Sequence, residues 1–360
     1  MSTSAIGKEP SQGKSMNSIK VVLYGIGEVG SRIGRHLLEK EGVQIVGAID
    51  IDKEKVGKDL GEVLKINRKL GIIVSNNAGE VVSKTKPHVV IHATTSYLQD
   101  VYPQLLRVIE YGANVISTCE ELAYPYIVNK ELAERLDKLA RAKNVTVLGT
   151  GINPGFLMDT LVITLTAVCQ KIERIKVRRV MNASKRRVPF QKKIGAGLSP
   201  EEFKEKIQNK VITGHVGLEQ SIALIADALA WELDEIKVEP VKPVIAEHPV
   251  ESDAIKVETG MVAGLKQTAH GIKDYEPLIT LEFLAYIGAE EEYDSIQIEG
   301  IPPVNQKISP CIHGDYGTVA IIVNSIPKVI NAPSGLLTMK DLPVPSATPE
   351  NMTKYVRQKI

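Results

Sequence analysis

IKVVLYGIGEVGSRIGRHLLEKEGVQIVGAIDID, residues 19–52, reads as strand, glycine turn, helix, strand and acidic residue in that order. Gly25, Gly27 and Gly30 make a G-x-G-x-x-G directly after the apolar run Val21–Tyr24. A helical pattern follows in Val29, Ile33, Leu37 and Leu38, and a second apolar strand ends at Asp50. The chemistry needs these residue types at this spacing. Gly25 permits the tight turn, Gly27 lets backbone approach a pyrophosphate lying on the helix N-terminus, and Gly30 lets helix and strand pack closely. Asp50 is placed to accept hydrogen bonds from the adenosine ribose hydroxyls. The glycine motif alone is weak; with strand, helix, second strand and acid in register it identifies a dinucleotide-binding unit. Gly25, Ile26, Gly27, Glu28, Val29, Gly30 and Asp50 are its candidate cofactor contacts.

The chain has 360 residues, enough for two domains with substantial cores. Forty-four lysines and arginines balance 43 aspartates and glutamates, so nothing suggests a nucleic-acid or acidic-membrane partner. Cys119, Cys169 and Cys311 are scattered and fit no zinc spacing, which suggests a reducing compartment and no metal site. No apolar run approaches the roughly 20 residues of a membrane span. Residues 1–17 are expected to be a disordered tail, the first 15 of them small and polar with no apolar core for a signal peptide, and a cytoplasmic protein is expected.

Strand and helix patterns alternate through the first half, as in a doubly wound parallel sheet. Strands are expected at 71–75, 88–92, 114–117 and 145–148, with helices at 101–111 and 132–143. From 153 the character changes. A helix is expected over 155–169, opened by Asn153-Pro154. Long strands then follow at 172–182, 236–246, 255–265, 278–287 and 295–299, interrupted by helices at 200–209 and 218–233. Several strands alternate with period two, which suits an antiparallel sheet with one wet face. An apolar helix at 318–330 is expected to return to the nucleotide unit. The expected organisation is therefore α/β: a Rossmann domain over 18–152, an α+β domain over 153–315, and a returning C-terminal segment over 316–360.

Ligands in such sheets bind beyond the carboxyl ends of the strands. Thr94, Thr95 and Ser96 follow the fourth strand there, and Cys119, Glu120 and Glu121 follow the fifth. A carboxylate at that edge can take a proton or position water if burial raises its pKa; the alternative is acids that simply favour the start of the next helix. Only one of the pair turns inward easily, and Glu120 is preferred. Asn153 reads as a helix cap that can face the pocket. His215, between glycines in a loop, and His270, after a strand, are candidate pocket residues set against the commoner structural role of lone histidines. The basic cluster Arg178, Arg179, Lys185, Arg186 and Arg187 offers an arginine for a substrate carboxylate, set against a solvated surface or subunit interface. Cys119 has no histidine partner placed by sequence and is a poor nucleophile candidate.

The segments GIGEVG, STCEELAYP, GINPGF and HGDYGTVAIIVNSIP resemble the dihydrodipicolinate-reductase-like superfamily and, within it, the 2,4-diaminopentanoate dehydrogenases and native amine dehydrogenases. The resemblance runs from about Ser18 to Leu342, and STCEEL and GINPGF are its discriminating parts. It implies a Rossmann domain with an α+β partner, a homodimer, and NAD or NADP as cofactor. It implies oxidative deamination of 2,4-diaminopentanoate at C4 to 2-amino-4-oxopentanoate and ammonia. It carries the catalytic glutamate onto Glu120 and pocket positions onto Asn153, Arg179, His215 and His270, with Arg179 the first choice for the substrate carboxylate. No His-His pair occurs, unlike true dihydrodipicolinate reductases, and Glu120 stands where homoserine dehydrogenases usually place a lysine. Asp50 favours NAD over NADP by repelling a 2′-phosphate, a bias that Lys53 and Lys55 soften. Two rivals are a superfamily reductase or dehydrogenase acting on a semialdehyde or cyclic imine, and a non-catalytic NAD-binding sensor.

Overall fold

The computed structural model describes residues 18–357, so the expected tail at 1–17 lies outside the described residues. The first half alternates as its periodicity requires: β1 (Ile19–Tyr24), α1 (Glu28–Leu38), β2 (Val43–Ile49), the short α2 (Leu60–Val63), β3 (Val74–Ser75), α3 (Ala78–Thr85), β4 (Val89–His92), α4 (Leu98–Glu110), β5 (Asn114–Ser117), α5 (Lys130–Ala142) and β6 (Thr146–Gly149). The strands are apolar on both faces because helices cover both.

The second half contributes α6 (Thr160–Thr166), β7 (Lys171–Asn182), α7 (Val188–Lys193), α8 (Pro200–Gln208) and α9 (Leu218–Ala228). It continues with β8 (Glu235–Val238), β9 (Lys242–Ile245), β10 (Val250–Glu251), β11 (Lys256–Val257), β12 (Val262–Lys273), β13 (Glu276–Tyr286), β14 (Tyr293–Ile301) and β15 (Val304–Ile308). The chain then returns through α10 (Gly314–Asn331), which packs on α1 and β5, and ends the first sheet with β16 (Gly335–Leu337).

The first sheet is parallel throughout, in the order β16-β6-β5-β4-β1-β2-β3. Strand order reverses between β1 and β4, which opens a crevice at their carboxyl ends. The second sheet runs β15-β14-β7-β13-β12-β8, with β9 also on β12. It is antiparallel except for the β7–β13 pair, which is parallel, so the sheet is mixed where period-two patterning alone suggested antiparallel. Its odd-numbered positions on β7, β12 and β13 pack inward against α9, as Ile175, Val177, Leu265, Ala269, Ile279 and Leu281 do.

Local chemistry explains where element bounds depart from expectation. The helix expected over 155–169 survives only as α6. Gly155 sits at φ +129°, outside helical space, and Asp159 rather than Asn153 caps the helix by accepting from the Thr160 N–H at 2.5 Å. The strand expected over 236–246 divides into β8 and β9. Pro240 has no N–H to offer the ladder, and the five residues Val238 to Lys242 stand opposite the four residues Lys266 to Ala269 of β12. The strand expected over 255–265 divides into β11 and β12, and β12 runs on to Lys273, so His270 lies inside a strand instead of after one. α9 stops at Ala228, shortly before Ala230 adopts φ +52°.

Candidate active site

The glycine turn shows a different constraint at each position. Gly25 lies at φ +86°, and a Cβ there would meet the Ala93 carbonyl oxygen at 2.3 Å. A Cβ on Gly30 would meet the Gly25 carbonyl oxygen at 1.9 Å. A Cβ on Gly27 would meet nothing within 4 Å, so its face is turned to open space. Gly27 is also the N-cap of α1, with no side chain capping the helix. Unpaired N–H groups at a helix start beside an open glycine face fit a pyrophosphate. Asp50 is buried at the end of β2; its Oδ2 accepts from the Ile26 N–H at 2.7 Å and from Lys55 Nζ at 3.2 Å, and its Oδ1 from the Asp52 N–H at 2.9 Å. The carboxylate thus ties the glycine turn to β2 and keeps lone pairs for ribose hydroxyls. These residues fit a nicotinamide dinucleotide.

Beyond β5 the two glutamates separate into two jobs. The Glu121 carboxylate accepts from the Leu98 N–H at 2.6 Å and so closes the N-terminus of α4. Glu120 is part-buried; desolvation raises its pKa, opposed by its own backbone N–H, the Ser96 hydroxyl and the Lys193 charge. Its turn is seated on the end of β6, where a Cβ on Gly149 would strike the Leu122 carbonyl oxygen at 2.4 Å. The Cys119 side chain points the other way, into the core under the sheet, and burial pushes its thiol up to about 12. Its contact with a cofactor is therefore limited to backbone. Cys119→Ala is expected to keep turnover within about threefold of wild type in steady-state assays, because a buried, protonated thiol is no nucleophile.

Across the cleft, the Asn153-Pro154 turn and the loop bearing His215 meet, since a Cβ on Gly217 would lie 2.4 Å from the Pro154 ring. Asn153 Oδ1 accepts from the Met158 N–H at 3.2 Å and pins its own loop. Asp159 holds the next turn, accepting from the Gly155 N–H and the Ser221 hydroxyl, each at 2.7 Å. His215 stacks on Phe283 at 4.6 Å, its backbone N–H donates to Gln267 Oε1, and its buried Nε2 has no hydrogen-bond partner. Burial, then the Arg179 and Lys193 charges, hold its pKa down at about 3, so the ring is neutral. Lys193, at the end of α7, acts on both Glu120 and His215 and has no ion pair among the described residues.

Two expected pocket residues are placed otherwise. Arg179 is on the inward face but only 1% exposed; it pairs with Asp294 at 2.9 Å and donates to the Ile312 carbonyl. Pulling it toward a substrate carboxylate would strand a buried aspartate, a loss of about 3–5 kcal/mol. His270 is corrected more sharply. It lies on the outward face of β12, between Thr280 and Glu239, opposite in parity to Gln267, which holds the His215 loop. Thr94 and Thr95 are at the β4 end as expected, with Thr94 bonded to Gln104 and Thr95 near Asp100. Lys193 went unremarked in the sequence because α7 had no clear periodic signal. The ion pairs of Asp315 with Arg186 (3.1 Å) and Arg32 (3.9 Å), joining α10 to both sheets' units, were equally illegible.

A cavity of about 430 Å³ on the outward face of the second sheet, bounded by Arg178, Val180, Leu284, Tyr286 and Tyr293, includes Arg178 of the basic cluster but no other candidate site residue. Among the described residues no group of three His, Cys, Asp or Glu side chains is disposed to hold a metal, and no helix is long and apolar enough to cross a membrane.

Comparison with known proteins agrees with this fold. Residues 19–119 match the family model for the dihydrodipicolinate reductase N-terminus, and residues 156–358 that for the 2,4-diaminopentanoate dehydrogenase C-terminal domain. A 2,4-diaminopentanoate dehydrogenase from Acetoanaerobium sticklandii is 36% identical over 92% of this chain and 95% of that protein. An amine dehydrogenase from Streptomyces virginiae is 22% identical over 91% of this chain and 96% of its own. The solved amine dehydrogenase from Mycobacterium smegmatis superposes with a TM-score of 0.79 at 28% identity, covering 93% of this chain and 99% of that one. With a matching family model over more than half its length and a relative aligned almost end to end, the chain belongs to the 2,4-diaminopentanoate dehydrogenase family of oxidoreductases.

Proposed function

We propose that the protein catalyses NAD(P)-linked oxidative deamination of 2,4-diaminopentanoate at C4, releasing 2-amino-4-oxopentanoate and ammonia, and the reverse reductive amination. The observation that carries this reading is Glu120: a part-buried carboxyl of raised pKa at the cofactor edge of the sheet, with neutral His215 and the cation Lys193 within electrostatic reach. When bound, the nicotinamide supplies the hydride acceptor. The chain's residues do the rest. Gly27, with its open face, and the start of α1 would seat the pyrophosphate, and Asp50 would take the ribose hydroxyls. Glu120 removes a proton from the C4 ammonium and releases it to solvent, leaving the neutral amine from which hydride departs. It then takes a proton from the water that attacks the resulting substrate iminium and returns it to the amine nitrogen, so that ammonia leaves as the C4 hydroxyl gives up its proton. His215, neutral throughout, offers its unpartnered Nε2 to the nitrogen or oxygen at C4. Lys193 takes the substrate carboxylate in place of Arg179, so that binding energy remote from C4 fixes its orientation.

Asp50 supports NAD as the preferred cofactor, with Lys55 partly offsetting its charge. A homodimer working in the cytoplasm is proposed on the same footing, its size to be read by sedimentation velocity. The test of the activity is reduced-nicotinamide absorbance with 2,4-diaminopentanoate at mildly alkaline pH, with ammonia measured in parallel. Equimolar reduced cofactor and ammonia are expected, with kcat/KM higher for NAD⁺ than for NADP⁺. A protein that binds cofactor yet turns over a semialdehyde or cyclic imine and no diamine would overturn the proposal.

A further inference from the structure

Between the ends of β4 and β5 lies a chain of hydrogen bonds centred on His92 that the reaction described above does not use. Its direction can be worked out atom by atom. Gln104, on α4, donates through Nε2 to the Asp100 carbonyl at 3.3 Å, so the atom it presents to His92 is Oε1, at 2.8 Å from the ring Nε2. An amide oxygen only accepts, which puts the imidazole proton on Nε2 and leaves Nδ1 as acceptor. The Ser117 hydroxyl, 2.9 Å from Nδ1, must therefore donate to it. Ser117 Oγ then keeps its lone pairs for the Cys119 N–H, 3.1 Å away. Thr94 joins at the other nitrogen, its Oγ1 lying 3.2 Å from His92 Nε2 and donating to Gln104 Oε1 at 3.0 Å.

His92 and Ser117 are wholly buried, and the Tyr24 ring of β1 closes the remaining side of the imidazole edge-on at 5.1 Å. Burial holds the His92 pKa down at about 4, so one neutral tautomer persists across the working range. Backbone bonds already set the height of the neighbouring strand ends, with the Thr118 N–H on the His92 carbonyl and the Glu121 N–H on the Ser96 carbonyl. The peptide that leads into Glu120 is held through its carbonyl by the Leu122 N–H on the Cys119 oxygen, and the peptide before it, Thr118–Cys119, is held through the Cys119 N–H by Ser117 Oγ, so His92 and Ser117 govern the entry to the turn that carries Glu120.

We propose that His92, acting through Ser117 and the Cys119 N–H, is a positioning residue that aims the Glu120 carboxylate into the cleft. It touches neither substrate nor cofactor, and the proposal rests on Glu120 being the base. A polar side chain in the last position of a fully buried strand is costly unless every partner is met, and here Thr94 and Ser117 belong to the ends of β4 and β5 and Gln104 to α4, the helix between those strands.

The experiment is steady-state kinetics with cofactor binding on His92→Leu, His92→Asn, Ser117→Ala and Glu120→Gln. Asn places an oxygen near the position of Nδ1 and keeps the acceptor for Ser117; Leu keeps bulk and loses it. His92→Leu and Ser117→Ala are expected to lower kcat at least tenfold, with cofactor Kd within threefold and the acid limb of the kcat–pH profile displaced. His92→Asn should keep at least a third of wild-type kcat, and the His92→Leu/Ser117→Ala double variant should be no worse than the poorer single one. If His92→Leu does not fold, Ser117→Ala decides alone. A kcat within threefold of wild type in Ser117→Ala or in folded His92→Leu, or a His92→Asn no better than folded His92→Leu, overturns the proposal. Loss in Glu120→Gln without loss in the others removes only the positioning role, whereas an active Glu120→Gln removes the base assignment beneath it.

Discussion

Glu120→Gln is expected to lower kcat for deamination by about 10²–10⁴-fold, the usual contribution of a positioned general base, while leaving cofactor affinity within a few fold. Gln keeps the shape and the hydrogen bond from Ser96 but cannot take a proton. The pH profile gives the second signature. Desolvation raises the Glu120 pKa, and its own N–H, Ser96 and Lys193 pull back against that rise. The base must be ionised to act, so kcat is fully expressed above the raised pKa and is lost as pH falls through it, at higher pH than an ordinary carboxylate would show. In Glu120→Gln that limb disappears from the residual rate. A variant retaining near wild-type turnover would sink the assignment, and because Glu121 is committed to the start of α4, no neighbouring carboxylate can stand in.

The second large effect separates two glycines of one motif. Gly30→Ala brings a methyl to 1.9 Å of the Gly25 carbonyl oxygen. Both partners are backbone, so relief requires α1 to move off β1. Overpacking of this kind costs roughly 1–3 kcal/mol or more, and thermal unfolding should shift down by several degrees with cofactor binding lost alongside. Gly27→Ala points into open space at an ordinary φ of −73°. It should melt with wild-type protein and still bind cofactor at least tenfold more weakly, because the methyl occupies the face reserved for pyrophosphate. Equal melting temperatures for Gly30→Ala and wild type, or equal cofactor affinity for Gly27→Ala and wild type, would contradict the roles given to them.

Some of the site could be read from the letters because its chemistry is local. The turn after β1, the acid after β2 and the residues after β4 and β5 are each placed by one strand's carboxyl end, and a parallel sheet gathers those ends at one edge. Glu120 could be preferred over Glu121 on that ground, and the structure gives Glu121 a separate task as the partner of the α4 N-terminus. The pocket's far wall was less legible because it depends on long-range pairing. Whether a residue of β12 faces the cleft is a matter of parity, and one step separates Gln267's face from that of His270. Whether Arg179 is free depends on Asp294, 115 residues away, standing opposite it on β14. Lys193 lies at the end of α7, near enough for its charge to act on Glu120 and His215, which no periodicity announced.

Sequence by itself determined the dinucleotide-binding unit, the alternation that builds its parallel sheet and the glycine and carboxylate positions at its edge, because hydrophobic period, turn geometry and strand ends are properties of short stretches. Tertiary structure alone decided that Lys193 stays unpaired among the described residues, that His215 lies stacked on Phe283 with its Nε2 unpartnered, and how His92 joins two strand ends. Those are properties of neighbours brought together from as far as 115 residues apart, where a partner's charge or a strand's register changes what the same side chain can do.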